Sequence, residues 1–473
     1  MRVMANVSMV MNLDKCLGCS ACSVTCKNTW TNRKGAEYMW WNNVEMRPGV
    51  GYPRLWEDQE RYRGGWELRD GKLGLRLGGK VQRLLRIFYN PYLPTMDDYY
   101  EPWTYDYGSL IDAKEGESPV ALPRSEVTGR RMDPVWGPNW DDDLAGSPDI
   151  ASMDPNLRMQ EEVRMEFERI FMFYLPRICN HCLNPSCVAA CPAGAIYKRE
   201  EDGIVLVDQD RCRGWRFCVS ACPYKKVYFN WRTHKAEKCT FCYPRIEDGL
   251  PTVCADTCVG RIRYIGILLY DADSIHRVAL EPDPGKLVDA QLSILLDPDN
   301  PEVTAAARRD GIWEDWLAAA RRSPAYRLVR KWGLALPLHP EYRTLPMVFY
   351  VPPLSPILRA LESRGDPGAD VLPAIDEMRI PVKYLASMFS AGNEEPVRNA
   401  LRRLAAVRAY MQGRELGSPD GRILDEVGLT PEDALEIYDL LAIARREDRF
   451  VIPKSHREEA LRPQEDRGSL GLD

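Results

Sequence analysis

An α+β fold built around a cysteine-bound core is predicted for this chain of 473 residues. Three observations carry it. All 15 cysteines fall in four tight groups. Short β-rich runs separated by turn residues lie between those groups. After Asp271 cysteine disappears and helical periodicity takes over.

The first group, Cys16, Cys19, Cys22 and Cys26, follows C-x2-C-x2-C-x3-C, the bacterial ferredoxin run. The second, Cys179, Cys182, Cys187 and Cys191, follows C-x2-C-x4-C-x3-C with Pro192 behind. The third, Cys212, Cys218 and Cys222, has Trp215 where the pattern wants a cysteine, and Pro223 behind. The fourth, Cys239, Cys242, Cys254 and Cys258, follows C-x2-C-x11-C-x3-C.

This spacing suits an iron–sulfur cubane. A loop with cysteine every third residue places three thiolates on three irons, and the fourth cysteine points to a different cluster. Motifs therefore work in crossed pairs. Cys179, Cys182 and Cys187 take Cys222. Cys212 and Cys218 take Cys191, and since Trp215 cannot ligate iron, that site should hold 3Fe–4S. Cys16, Cys19 and Cys22 take Cys258, while Cys239, Cys242 and Cys254 take Cys26. The expected cofactors are three 4Fe–4S clusters and one 3Fe–4S cluster, a wire for single electrons. A zinc-stabilised scaffold is the contrasting reading, but zinc takes two cysteines per half-site and these groups carry three or four. Disulfides belong to small secreted domains, and an odd cysteine count in a long chain argues against them.

Composition narrows the class. A net charge of -6 gives no basic surface for nucleic acid. Met1 to Leu13 has one arginine and no apolar run suited to a signal peptide. No stretch approaches the roughly 20 apolar residues of a membrane helix. The longest apolar region, Leu345 to Ile357, contains Pro346, Pro352, Pro353 and Pro356 and cannot be helical. A soluble or peripheral protein in a reducing compartment is expected.

The groups also locate domains. Residues 1–30 carry the first motif. Because that motif must meet the fourth, 31–173 should be an excursion that returns. Trp40, Trp41, Trp56, Trp66, Trp103, Trp136 and Trp140 lie in it. With its Gly and Pro it reads as loop-rich, with the aromatics packing. Met165 to Tyr174 is expected to be the end of a helix returning the chain to Cys179. Residues 174–270 form the core with three motifs. There Ala195-Ile196-Tyr197 and Ile204 to Val207 flank Gly203 as one hairpin. Val227-Tyr228-Phe229 and Trp231 start a second, closing near Lys238. The result is a ferredoxin-like core, doubled.

Residues 271–473 should be mainly helical and serve subunit contact. Asn300-Pro301 opens a helix closed by Gly311. Val397, Ala400, Leu401, Leu404 and Met411 form a helical stripe ended by Gly413. Thr430-Pro431-Glu432-Asp433 is a capping start, with Ala434, Ile437, Leu441 and Ala444 on one face.

His181 sits between two cysteines of a full set, which favours tuning a cluster over ligating it. Arg213, Arg216, Lys225, Lys226, Arg261 and Arg263 crowd the motifs. They are either a solvated basic face or cations that raise cluster potentials. No nucleotide-binding glycine motif, P-loop or serine elbow is present. No substrate-converting site is expected here.

The four groups in this order, with Trp215 in the third, resemble the β subunit of respiratory nitrate reductase. So do Met9 to Trp30, Asp97 to Trp103, Leu175 to Cys191, Asp210 to Trp231, Lys238 to Asp271 and Leu334 to Pro356. The resemblance covers nearly the whole chain. It departs at Asp473, without the longer cysteine-bearing tail of some members. It implies the same crossed ligand sets and an electron-transfer role in anaerobic respiration. It implies a haem b membrane γ subunit oxidising quinol. It also implies a catalytic α subunit whose molybdenum bis-pterin guanine dinucleotide centre reduces nitrate to nitrite. The three-iron cluster would lie toward the membrane partner. The chain would sit peripherally on the cell membrane, at its cytoplasmic face. The β subunit of nitrite oxidoreductase, running in reverse, resembles the same pattern.

Overall fold

The computed structural model describes residues 1–454 apart from 79, 100, 107, 118, 120, 121, 133–152, 159–170, 355–374, 376 and 377. Strand Val3–Asn12 is its spine. It pairs antiparallel with Arg263–Asp271, in the register Val7↔Ile267, and parallel with Val348–Val351. Leu336–Pro337 closes this four-stranded sheet. A strand covered on both faces is apolar nearly throughout, and VMANVSMVMN fits that place. The strand thus ties the first motif to the end of the fourth and to the C-terminal region. One hydrophobic core runs through residues of all four expected segments.

Both expected hairpins form. Ile196–Lys198 pairs with Val205–Val207, and Val227–Asn230 pairs with Lys235–Lys238. Two pairs of short helices also pack together. Ser186–Ala190 meets Phe217–Ala221, and Ala21–Cys26 meets Val253–Asp256.

The helix expected over Met165 to Tyr174 is corrected where it can be seen. Phe173–Arg177 is a strand, paired with Asn43–Arg47 in the register Glu45↔Leu175. Its sequence FYLPR explains this, because Pro176 cannot sit inside a helix and the aromatic neighbour favours a pleated surface. Met165 to Ile170 lie outside the described residues, as do Trp136 and Trp140. Trp40, Trp41 and Trp56 are buried as packing residues.

The C-terminal region is helical. Asn300 caps Pro301–Arg309 by accepting from the Glu302 N–H at 2.8 Å. Thr430 and Asp433 cap Pro431–Tyr438 reciprocally. The helix then widens into a π-turn over Asp439–Ile443, and Ala444 ends it in a left-handed conformation rather than extending its face. Glu394–Glu415 runs past Gly413. The residue that reverses the chain is Gly417, at φ +76°, the usual place for a terminating glycine.

Candidate iron–sulfur centres

Each motif is a loop that turns through left-handed backbone before entering a short helix. In the first, Gly18 (φ +67°) and Ser20 (φ +53°) precede Ala21–Cys26. A Cβ on Gly18 would lie 2.4 Å from the Tyr174 ring, so glycine is required there. His181 turns the second loop, Gly214 and Arg216 the third, Phe241 and Cys242 the fourth. Positive φ at non-glycine residues is costly and persists where surrounding structure fixes it. Here it folds the loops inward over their own thiols.

The thiols gather in groups. Cys26 is raised well above its ordinary value, by burial first and then by the neighbouring Cys254, Cys239 and Cys242. These four line one cavity of about 280 Å³. Cys187 is raised by burial and then by Cys222, Cys179 and Cys182. Those four line a second cavity of about 350 Å³. Cys218 is raised by burial, then Cys191 and Cys212. Burial, with Cys22 and Cys258 beside it, pushes Cys16 up to about 12. Cys19 lies at the surface. Trp215 is 40% exposed on the loop between Cys212 and Cys218.

Neighbouring sets lie within electrostatic reach of one another. Cys254 feels Cys22 and Cys258, and Cys239 feels Cys179. The helices ending at Cys191 and Cys222 pack together. The four sets therefore follow one another in a chain of neighbours. Among the described residues, no three His, Cys, Asp or Glu side chains converge tightly enough for a single metal ion. The thiols surround a space instead of a point.

The basic residues near the motifs separate into two kinds. Arg213 and Arg261 are exposed and Arg216 is half-buried. Lys225, Lys226 and Arg263 are buried, joined by three lysines the sequence did not single out: Lys27 and Lys238, also buried, and Lys198, half-buried. Their N–H groups are held by neutral oxygens. Lys225 donates to the Ser220 carbonyl at 2.7 Å, and Lys198 to Asn6 Oδ1 at 2.7 Å. Burial lowers Lys225 to about 7, against the pull of Cys222, the anion that faces it. Buried cations without partners are expensive, so anions at the cysteines answer them.

N–H donors point at sulfur. Trp30 Nε1 donates to Cys242 Sγ at 3.3 Å, and the Ala236 N–H to Cys212 Sγ at 3.4 Å. Val205 N–H donates to His181 Nδ1 at 3.0 Å, which leaves the ring proton on Nε2. Burial, then Lys238 and Lys198, holds this histidine well below its ordinary value, so it is a neutral donor. It lines the cavity of Cys179, Cys182, Cys187 and Cys222. His181 Nε2 and Trp41 Nε1 are both buried without a protein acceptor, beside separate cavities. Buried polar atoms are normally satisfied. Sulfur-rich, anion-seeking cavities with donors to spare fit iron–sulfur clusters. Trp30, the donor role of Trp41, and Lys27, Lys198 and Lys238 escaped the sequence reading because nothing in their spacing marks them.

A model for a 4Fe-4S dicluster domain matches residues 170–268, and one for the respiratory nitrate reductase beta C-terminal region matches 354–431. Cavities and match together define an iron–sulfur protein. The chain is 55% identical over 477 residues to the nitrate reductase beta chain of Bacillus subtilis, across 100% of this chain and 98% of that one. It is 57% identical over 467 residues to the respiratory nitrate reductase 2 beta chain of Escherichia coli, across 97% and 91%. It is 40% identical over 410 residues to the dimethylsulfide dehydrogenase subunit beta of Rhodovulum sulfidophilum, across 87% and 93%. The chain belongs to the respiratory nitrate reductase beta-chain family, whose role in that oxidoreductase is electron transfer.

Proposed function

We propose that the chain carries single electrons from a haem b membrane γ subunit to a molybdenum α subunit that reduces nitrate to nitrite. The cofactors are three 4Fe–4S clusters and one 3Fe–4S cluster, held in a doubled ferredoxin-like core. Their ligands are Cys16, Cys19, Cys22 and Cys258; Cys26, Cys239, Cys242 and Cys254; Cys179, Cys182, Cys187 and Cys222; and Cys191, Cys212 and Cys218. When bound, such clusters accept and release one electron at a time. The protein fixes the thiols, answers their charge with buried cations and supplies N–H donors to sulfur.

The observation that carries this reading is the company of Cys26, Cys187, Cys218 and Cys16. Each thiol has as neighbours members of its own crossed set, across up to hundreds of residues of chain. The ends of the chain of sets are accessible. Cys19, Leu17 and Val259 are exposed beside the first, which we assign to the α partner. Trp215 and Trp231 are exposed beside the last, assigned to the membrane partner. We place the chain peripherally on the membrane, attached through γ at the cytoplasmic face; no helix among the described residues is long and apolar enough to cross a membrane. Nitrate is favoured as substrate because the Bacillus subtilis and Escherichia coli relatives named for it share 55–57% identity, against 38–40% for those named for dimethylsulfide, selenate or chlorate and 35% for the respiratory nitrate reductase subunit beta of Haloferax mediterranei.

The test is to reduce the assembled complex, add nitrate anaerobically and follow visible absorption. Reoxidation with formation of nitrite is expected. Clusters that stay reduced in the presence of nitrate would overturn the proposal.

A further inference from the structure

We propose that Arg263 is a positioning residue shared by the first two cysteine sets, one fixed positive charge that raises the reduction potential of both clusters. The inference rests on the ligand assignment above and deepens it.

Arg263 opens the strand Arg263–Asp271 and has no exposed surface. Its Nη1 lies 3.4 Å from Cys254 Sγ, a member of the second set, and 3.7 Å from Met9 Sδ. Its Nη2 donates to Asn42 Oδ1 at 2.6 Å. Its Nε has no partner. The thiols that lie electrostatically nearest to it are Cys254 of the second set and Cys22, Cys258 and Cys16 of the first. Among the described residues no carboxylate pairs with it. A guanidinium buried this deeply stays charged, and its counter-charge must come from nearby. Only thiolates are in place to provide it, and they belong to both sets.

The side chain is aimed, not merely enclosed. Asn42 orients the guanidinium while its own amide donates to Ser23 Oγ at 3.0 Å, in the helix that joins Cys22 to Cys26. The Asn42 backbone also hydrogen-bonds Cys26, a ligand of the second set. One short network therefore links the helix of the first motif, Arg263 and a thiol of the second set. A cation fixed between two redox groups stabilises an added electron on either. The apolar medium around it strengthens that attraction. Lys225 faces Cys222 alone, in the third set, whereas Arg263 faces two sets.

The experiment is a redox titration of the assembled complex followed by electron paramagnetic resonance, with signals assigned through cysteine variants. Arg263→Gln should lower the midpoints of the first and second clusters together and leave the third and fourth in place. Arg263→Lys, which keeps the charge, should hold both close to native. A shift of one cluster only, an equal shift of all four, or an Arg263→Lys effect as large as that of Arg263→Gln would overturn the proposal. If Arg263→Gln does not assemble, Arg263→Lys decides. Both midpoints staying close to native, or shifting slightly together in the same sense, supports the bridge, and movement of one without the other refutes it. A native complex lacking the four clusters would sink the ligand assignment itself. A native complex with all four, whose Arg263→Gln variant leaves these midpoints alone, sinks only the bridge.

Discussion

Glu45 and Arg177 form a fully buried ion pair where the long excursion between the first two motifs returns to its start. They sit on paired strands, Asn43–Arg47 and Phe173–Arg177. Arg177 also stacks over Trp56, 3.5 Å from the ring centroid. The pair extends into a buried lattice, since Glu45 also binds Arg47, which reaches Glu57 and Asp154. This lattice brings the ends of the excursion together and so places Cys26 near the motif that begins at Cys179.

Removing the shared carboxylate leaves two guanidinium groups short of an anion. Glu45→Gln should cost about 3–5 kcal/mol, the usual penalty for breaking a buried pair. The urea midpoint of the variant should fall with an unchanged slope, and its cluster content should drop. A variant as stable as the native chain would mean that the lattice does not close the fold.

His339 bridges Glu341 at 2.7 Å and Glu57 at 2.8 Å. Burial alone would lower its pKa, but Glu341 and Glu57 overcome this and raise it to about 9. The unfolded value is about 6.5. The contribution of this histidine to stability is therefore complete below about pH 6.5 and is lost as pH rises through about 9. Glu57 works from the other side. Burial opposes ionisation, yet Arg47 and His339 bring it down to about 2, so its contribution holds above about pH 4.3 and is lost as pH falls through about 2. Thermal stability measured against pH should decline between pH 6.5 and 9, and His339→Gln should flatten that decline. An unchanged profile in the variant would show that the histidine does not carry it.

Trp30 donates its indole N–H to Cys242. Such a bond stabilises a sulfur more as its negative charge grows on reduction. Trp30→Phe keeps the ring and removes the donor. At about 1 kcal/mol for one hydrogen bond, the midpoint of the second cluster should fall by on the order of 40 mV for a one-electron couple. An electron paramagnetic resonance titration reads this directly, and a midpoint within error of native would show the bond to be redox-silent.

Crossed ligation makes a pointed claim about Cys258, which belongs to the fourth motif by sequence and to the first set by neighbourhood. Cys258→Ala should abolish the signal of the first cluster and spare that of Cys26, Cys239, Cys242 and Cys254. Loss of the latter instead would mean that the motifs hold their clusters uncrossed.

The parts legible in the sequence were those governed by local spacing. Gly203 and its β-branched flanks gave a hairpin, and Thr430 with Asp433 gave a helix start. The parts that were not legible depend on distant partners. Phe173–Arg177 is a strand because Asn43–Arg47 lies beside it, 126 or more residues earlier in the chain. Val3–Asn12 is the spine of the sheet because Arg263–Asp271 and Val348–Val351 flank it. Arg213 and Arg263 look alike in sequence, yet one is exposed and the other buried between two thiol sets. Burial is a tertiary property, and no periodicity announces it.

The most direct test concerns Trp215, which occupies the ligand position that would complete the Cys191, Cys212 and Cys218 set. Electron paramagnetic resonance of the oxidised, assembled complex should show one 3Fe–4S signal, with 4Fe–4S signals appearing on reduction. Trp215→Cys should convert that site to 4Fe–4S and lower its potential. Four complete cubanes in the native complex, by iron content and spectrum, would contradict the assignment.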